Sequence, residues 1–147
     1  MARSYDELWV ARPFRNDPAT DALIASVMEV AEKAGTGSLS CQIKEAATPA
    51  DRAALVREAA EAECRIGVFC PEDNVTQFLY EELTAQEVPC PSKIGLLSGM
   101  GTDVLDDEIS TLFYDFREMG ARAAEMLDSG KSEQIKVRPD LRASSST

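Results

Sequence analysis

The sequence predicts an α/β fold, a three-layer sandwich on a mostly parallel sheet of about five strands. Two observations carry this. Short apolar runs alternate with longer segments of helical period, the order that wraps helices onto a parallel sheet. The chain's 147 residues, 44% of them hydrophobic, also suffice for one domain around a single core.

Five runs have the length and the apolar or β-branched content of sheet strands: LWVA from Leu8, LSCQI from Leu39, IGVFC from Ile66, IGLLS from Ile94 and IKVR from Ile135. Two or three of them read as buried on both faces. Between the first two, Asp17 caps a helix whose first residue is Pro18; Leu23, Ile24, Val27, Met28 and Ala31 recur at helical spacing until Gly35 ends it. Thr48, Pro49 and Asp51 start a second helix, with Ala53, Ala54, Val56 and Ala60 as its small inward side. A third begins at Asp73 or Asn74 and turns Val75, Phe78, Leu79 and Leu83 inward. The fourth opens at Asp115, where Glu118 has capping-box spacing; Phe116, Met119, Ala123, Met126 and Leu127 form its apolar stripe, and Gly130 stops it. GMGTDVLDDE, from Gly99 to Glu108, reads as a connection, and the closing RASSST as a frayed end.

Fifteen basic against 26 acidic residues give a net charge of −11, a surface that repels a phosphate backbone, so this chain is not expected to bind DNA itself. No apolar run is long enough for a membrane span, and Met1 to Tyr5 lack the apolar core of a secretion signal. The four cysteines, Cys41, Cys64, Cys70 and Cys90, match no zinc spacing and there is no histidine, so neither a metal nor any other cofactor is expected. Cys64 and Cys70 bracket a run that reads as a buried strand, where packing explains them. GMGTD, from Gly99, lacks the third glycine of a dinucleotide fingerprint and the lysine of a phosphate loop. No serine sits in a Gly-x-Ser-x-Gly elbow, and Cys70 at a helix start fits a buried strand end better than an activated thiol. The sequence therefore predicts no enzyme. A two-component receiver domain fails too, because the first strand runs into Arg12 and Pro13 instead of an acidic pair.

Ligands in open α/β sheets bind beyond the carboxyl ends of the strands, which selects the loops Arg12 to Asp17, Pro71 to Asn74 and Ser98 to Asp103. Phe14 and Asp73 are candidates there, alongside plainer readings: Phe14 as a hydrophobic staple, Asp73 and Asn74 as helix caps, Arg12 and Arg15 as solvated charges.

Four stretches point to a family. VFCPEDN (Val68 to Asn74), EVPCPSKIGLLS (Glu87 to Ser98), STLFYDFREMGARAAEML (Ser110 to Leu127) and VRPDLRASSST (Val137 to Thr147) follow one another in the order of the lactose-repressor (LacI/GalR) effector-binding domain. They resemble its strand-to-helix junction, its Val-Pro turn before a buried strand, its crossover and helix, and its final strand and tail. The third match is the most specific, and the resemblance runs from Leu8 to Thr147.

The resemblance implies one lobe of a periplasmic-binding-protein-like (type I) domain, with 1–147 as the carboxyl-terminal part of an effector-binding domain. Residues 8–109 would form one α/β lobe, 110–130 the crossover and a helix docking on the other lobe, and 131–147 the last strand and tail. In a complete member a helix-turn-helix and most of a first lobe precede the strand at Leu8. Without that lobe, Phe116, Met119, Ala123 and Leu127 need this domain's own surface or a second copy as partner. The implied function is sensing of a sugar or related small molecule by a cytoplasmic, homodimeric transcription regulator that touches DNA only through its headpiece. A periplasmic sugar-binding protein of the same fold is the alternative. The helix from Asn74 to Ala85, with Phe78 and Tyr80 on different faces, is the candidate dimer contact.

The family's ligand-gripping positions fall on Glu72, Ser98, Thr20 and Phe116. Only the aromatic agrees. Glu72 stands where the family has an amide, Ser98 where it has a carboxylate, and Thr20 where it has an arginine. The usual hydroxyl-binding set is disrupted, which implies either a different effector or a degenerate pocket.

Overall fold

The computed structural model describes residues 5–13, 17–33, 39–101, 108–130, 134 and 136–146. Among these residues six strands form one sheet in the order β2-β1-β3-β4-β5-β6. These are β1 (Glu7–Arg12), β2 (Ser40–Glu45), β3 (Ile66–Cys70), β4 (Ile94–Gly101), β5 (Ser110–Phe113) and β6 (Asp140–Arg142); four helices alternate with them, α1 (Pro18–Lys33), α2 (Pro49–Glu61), α3 (Asp73–Ala85) and α4 (Phe116–Ser129). All pairings are parallel except β5 with β6. The fold class expected from the sequence is therefore observed, with one strand more.

Alternation along the strands divides two cores. Trp9, Ala11, Ile66, Val68, Cys70, Ile94 and Leu96 face α2 and α3, where they meet Leu55, Val56, Ala59, Val75, Leu79 and Leu83. Val10 and Phe69 point the other way, onto Ile24 of α1. Every residue of β3, the strand between β1 and β4, is buried.

Capping follows the sequence closely. Asp17 accepts hydrogen bonds from the Thr20 amide and hydroxyl at 3.3 and 3.2 Å. Thr48 and Asp51 form a reciprocal capping box ahead of α2. Asp115 accepts from the Glu118 amide at 2.9 Å, and Gly130 closes α4 in the left-handed conformation at φ 62°. Gly35 lies outside the described residues.

Several expectations are corrected. Ser110–Phe113 is a strand, β5, because it completes the ladder of β4, which itself continues through Gly101 past a register shift after Ser98. Residues 136–138 of the run expected as the last strand are not strand, Ile135 lies outside the described residues, and the edge is closed by Asp140–Arg142, whose charges suit an edge. On α2 the inward side is Leu55, Val56 and Ala59, with Ala54 and Ala60 exposed, because alanine is a weak marker of a face and leucine a strong one. On α3 Phe78 is 47% exposed; Val75, Leu79 and Leu83 fill the core at a four-residue repeat, and Phe78 instead lies under the Arg52 guanidinium at 4.7 Å.

The tail is not frayed. Leu96 turns both backbone groups away from β3: its amide donates to the Ser146 carbonyl at 2.8 Å, and its carbonyl accepts from the Ser146 hydroxyl at 2.9 Å. The same hydroxyl accepts from the Ser110 amide at 2.7 Å, and the Ser146 amide donates to the Glu108 carbonyl at 3.0 Å. Pairing of β5 with β4 begins only at Leu97, so Ser146 supplies the ladder partner that Leu96 lacks.

Candidate functional site

The carboxyl ends of β3 and β4, the first turn of α1 and the entry to α4 enclose a cleft of about 560 Å³. Asp17, Ala19, Thr20 and Leu23 line it from α1; Pro71, Glu72, Asp73 and Asn74 from the β3–α3 junction; Gly99 and Met100 from β4; Tyr114, Phe116 and Met119 from the crossover into α4. Strand ends in register position the floor, since Cys70 pairs with Ser98. Gly99 is required there, because a Cβ on it would lie 2.6 Å from Phe69 Cζ.

Of the residues singled out in the sequence, Thr20, Glu72, Asp73 and Phe116 come together on this cleft. Ser98 does not line it. It is fully buried and donates its hydroxyl to Asp73 Oδ1 at 2.5 Å, fixing that carboxylate from below. Phe14 lies outside the described residues, as do Arg15 and Thr102–Asp107 of the two flanking loops. Asp17, Tyr114 and Met119 also line the cleft; in the sequence Asp17 stands out as a helix cap at the end of a candidate loop, and Tyr114 and Met119 only as parts of the crossover and its helix.

Chemically the lining has an acidic side and an apolar side. Asp17 already accepts from Thr20, and Asp73 from Ser98. Glu72 occupies the N-cap of α3 yet makes no side-chain cap bond, and forms no ion pair or side-chain hydrogen bond among the described residues. Opposite, the Tyr114 and Phe116 rings sit 6.2 Å apart, tilted by 33°. Such a surface can accept hydrogen bonds and stack against a ring. Cys70, just beneath, is fully buried, and burial pushes its thiol up to about 12 against a weaker lowering by the Thr76 hydrogen bond.

Helix α4 contributes Phe116 and Met119 to the cleft but buries none of its residues; Leu127 is 85% exposed. Of its apolar stripe, Phe116 meets Tyr114 and Met126 is half-buried, while Ala123 and Leu127 stay exposed.

A family model described as periplasmic binding protein-like domain matches residues 3–144. The chain belongs to the periplasmic binding protein-like family. No curated protein matches the sequence. Among solved structures, a LacI family transcriptional regulator from Bifidobacterium animalis subsp. lactis is 15% identical with a TM-score of 0.73, covering 97% of this chain and 55% of that one. A LacI family regulator from Arthrobacter sp. FB24, in complex with lactose, is 18% identical with a TM-score of 0.70, over 97% of this chain and 57% of that one. A periplasmic binding protein/LacI transcriptional regulator from Alkaliphilus metalliredigens, complexed with D-xylulofuranose, is 11% identical with a TM-score of 0.73, over 97% and 57%. These likenesses show the fold. This periplasmic binding protein-like chain spans little more than half the length of the structures it resembles. Among its described residues no helix is long and apolar enough to cross a membrane.

Proposed function

We propose that this chain is the ligand-sensing part of a transcription regulator. It binds a sugar or related small molecule in the cleft between β3, β4 and the start of α4, and so controls DNA binding by a helix-turn-helix headpiece outside this sequence. The observation that carries the reading is the cleft itself: in a fold shared with LacI-family regulators, Thr20, Glu72, Asp73 and Phe116 converge on one concave site at the carboxyl ends of the strands. Two proteins of the same fold were solved with lactose and with D-xylulofuranose. Ligand closure of two lobes about the crossovers would shift the population of headpiece geometries.

In this reading the cleft binds its ligand without transforming it, and Asp17 and Asp73 serve as acceptors that Thr20 and Ser98 already engage. The regulator works in the cytoplasm as a homodimer joined through α3, whose Phe78 is exposed. A periplasmic sugar-binding protein would use the same cleft, and the family model's description favours it equally. The test is a thermal-shift screen of the chain against neutral, aminated and phosphorylated mono- and disaccharides. Stabilisation by at least one, abolished by Phe116→Ala, supports sensing; no shift with any of them overturns it. Codons upstream of Met1 then decide between a headpiece and an export signal.

A further inference from the structure

The charge and shape of the cleft narrow the ligand class, an argument that rests on the function proposed above. Its described lining carries three carboxylates, Asp17, Glu72 and Asp73, and no basic side chain. Arg12, the cation at the end of β1, lies within 3.6 Å of Glu45, its register partner on the edge strand β2. Carboxylates only accept hydrogen bonds, so each needs a donor. Asp17 and Asp73 find theirs in Thr20 and Ser98, but their negative charge stays. Glu72 has neither a capping bond nor an ion pair among the described residues, although it stands at a helix N-cap, where a shorter side chain would reach the backbone amides. A half-buried carboxylate with its oxygens uncommitted, facing a concave space, is built to meet something in that space.

The opposite wall supplies the second half of the recognition. Tyr114 and Phe116 present two neighbouring ring faces, with Met119 beside them. Aromatic faces attract cations as well as sugar rings, and a cleft lined by carboxylates and rings repels phosphate or carboxylate ligands. We propose that the cleft takes a hydroxylated amine, protonated at neutral pH, with its ammonium on Glu72 and its ring or carbon skeleton against Tyr114 and Phe116. An amino sugar is the simplest member of that class.

The test uses isothermal titration of the chain with D-glucosamine, D-glucose and D-glucose 6-phosphate as probes. The expected order is D-glucosamine at least about tenfold tighter than D-glucose, and D-glucose 6-phosphate weakest, since a charge-assisted hydrogen bond is about twice as strong as a neutral one. Glu72→Gln keeps the shape and removes the charge. It should weaken D-glucosamine about tenfold and D-glucose by a smaller factor, so that the preference for the amine is lost. Equal affinity for D-glucosamine and D-glucose overturns the amine assignment and leaves sugar sensing standing. Tightest binding of D-glucose 6-phosphate overturns it too, and would direct attention to Arg15, outside the described residues. Binding of none of the three, with no response in the wider sugar screen, overturns both.

Discussion

Replacing Ser146 by alanine removes one hydroxyl that serves two strands at once. In the parent chain that hydroxyl accepts from the Ser110 amide at 2.7 Å and donates to the Leu96 carbonyl at 2.9 Å, in a residue only 2% exposed. Alanine leaves a buried N–H and a buried C=O without partners while the backbone bonds of Ser146 to Leu96 and Glu108 persist. An orphaned buried polar group costs about 1–3 kcal/mol, and partial relaxation toward water makes the lower half of the two-group sum the better figure, about 2–4 kcal/mol. For a domain of this size that lowers the midpoint by roughly 5–15 °C. Urea unfolding followed by the fluorescence of Trp9, the single and buried tryptophan, reads the change directly. Ser145→Ala, at an exposed neighbouring position whose hydroxyl donates to the Glu108 carbonyl, is the control and should unfold like the parent. A Ser146→Ala chain that also unfolds like the parent would refute the assignment of the tail as a structural partner of β4.

Three further outcomes follow from the same geometry. Leu127→Glu on α4 should leave stability within about 0.5 kcal/mol of the parent, whereas Leu79→Ala in the core should cost about 2–5 kcal/mol, both by urea titration. A thiol reagent should label Cys41, Cys64 and Cys90 in the native chain and reach Cys70 only on unfolding, because burial holds the Cys70 thiol protonated at neutral pH; rapid native labelling of all four would contradict the packing. Asp51 is held below the ordinary carboxyl range by the Thr48 hydroxyl and amide, with Arg52 assisting, so its contribution is present above the unfolded value of about 4 and fades as pH falls through the lower folded value. Thr48→Ala should therefore narrow the difference in thermal midpoint between pH 7 and pH 3, and an unchanged difference would show that the capping box is not populated in solution.

How much was legible depended on whether a feature is local. Caps at Asp17, Thr48 and Asp115 and the stop at Gly130 are contacts between near neighbours, so the residue types announce them. The buried strand Ile66–Cys70 stood out because both of its faces are apolar. β5 did not, because Ser110–Phe113 is half polar and becomes a strand only through β4 beside it. Ser146 was read as tail for the same reason, since its partners Leu96 and Ser110 lie far away in sequence. In the cleft, the loop rule found the right strand ends, and Thr20, Glu72 and Phe116 could be placed through the family resemblance. The burial of Ser98 under Asp73 required the register of β3 against β4, which no sequence pattern states.

Amide chemical-shift mapping of the isotope-labelled chain during titration with D-glucosamine and lactose tests the cleft as a ligand site most directly. Perturbations are expected at Thr20, Glu72, Asn74, Gly99 and Phe116, with the opposite strand ends around Arg65 and Lys93 silent. Perturbations centred on Arg65 and Lys93, or none at saturating sugar, would contradict it.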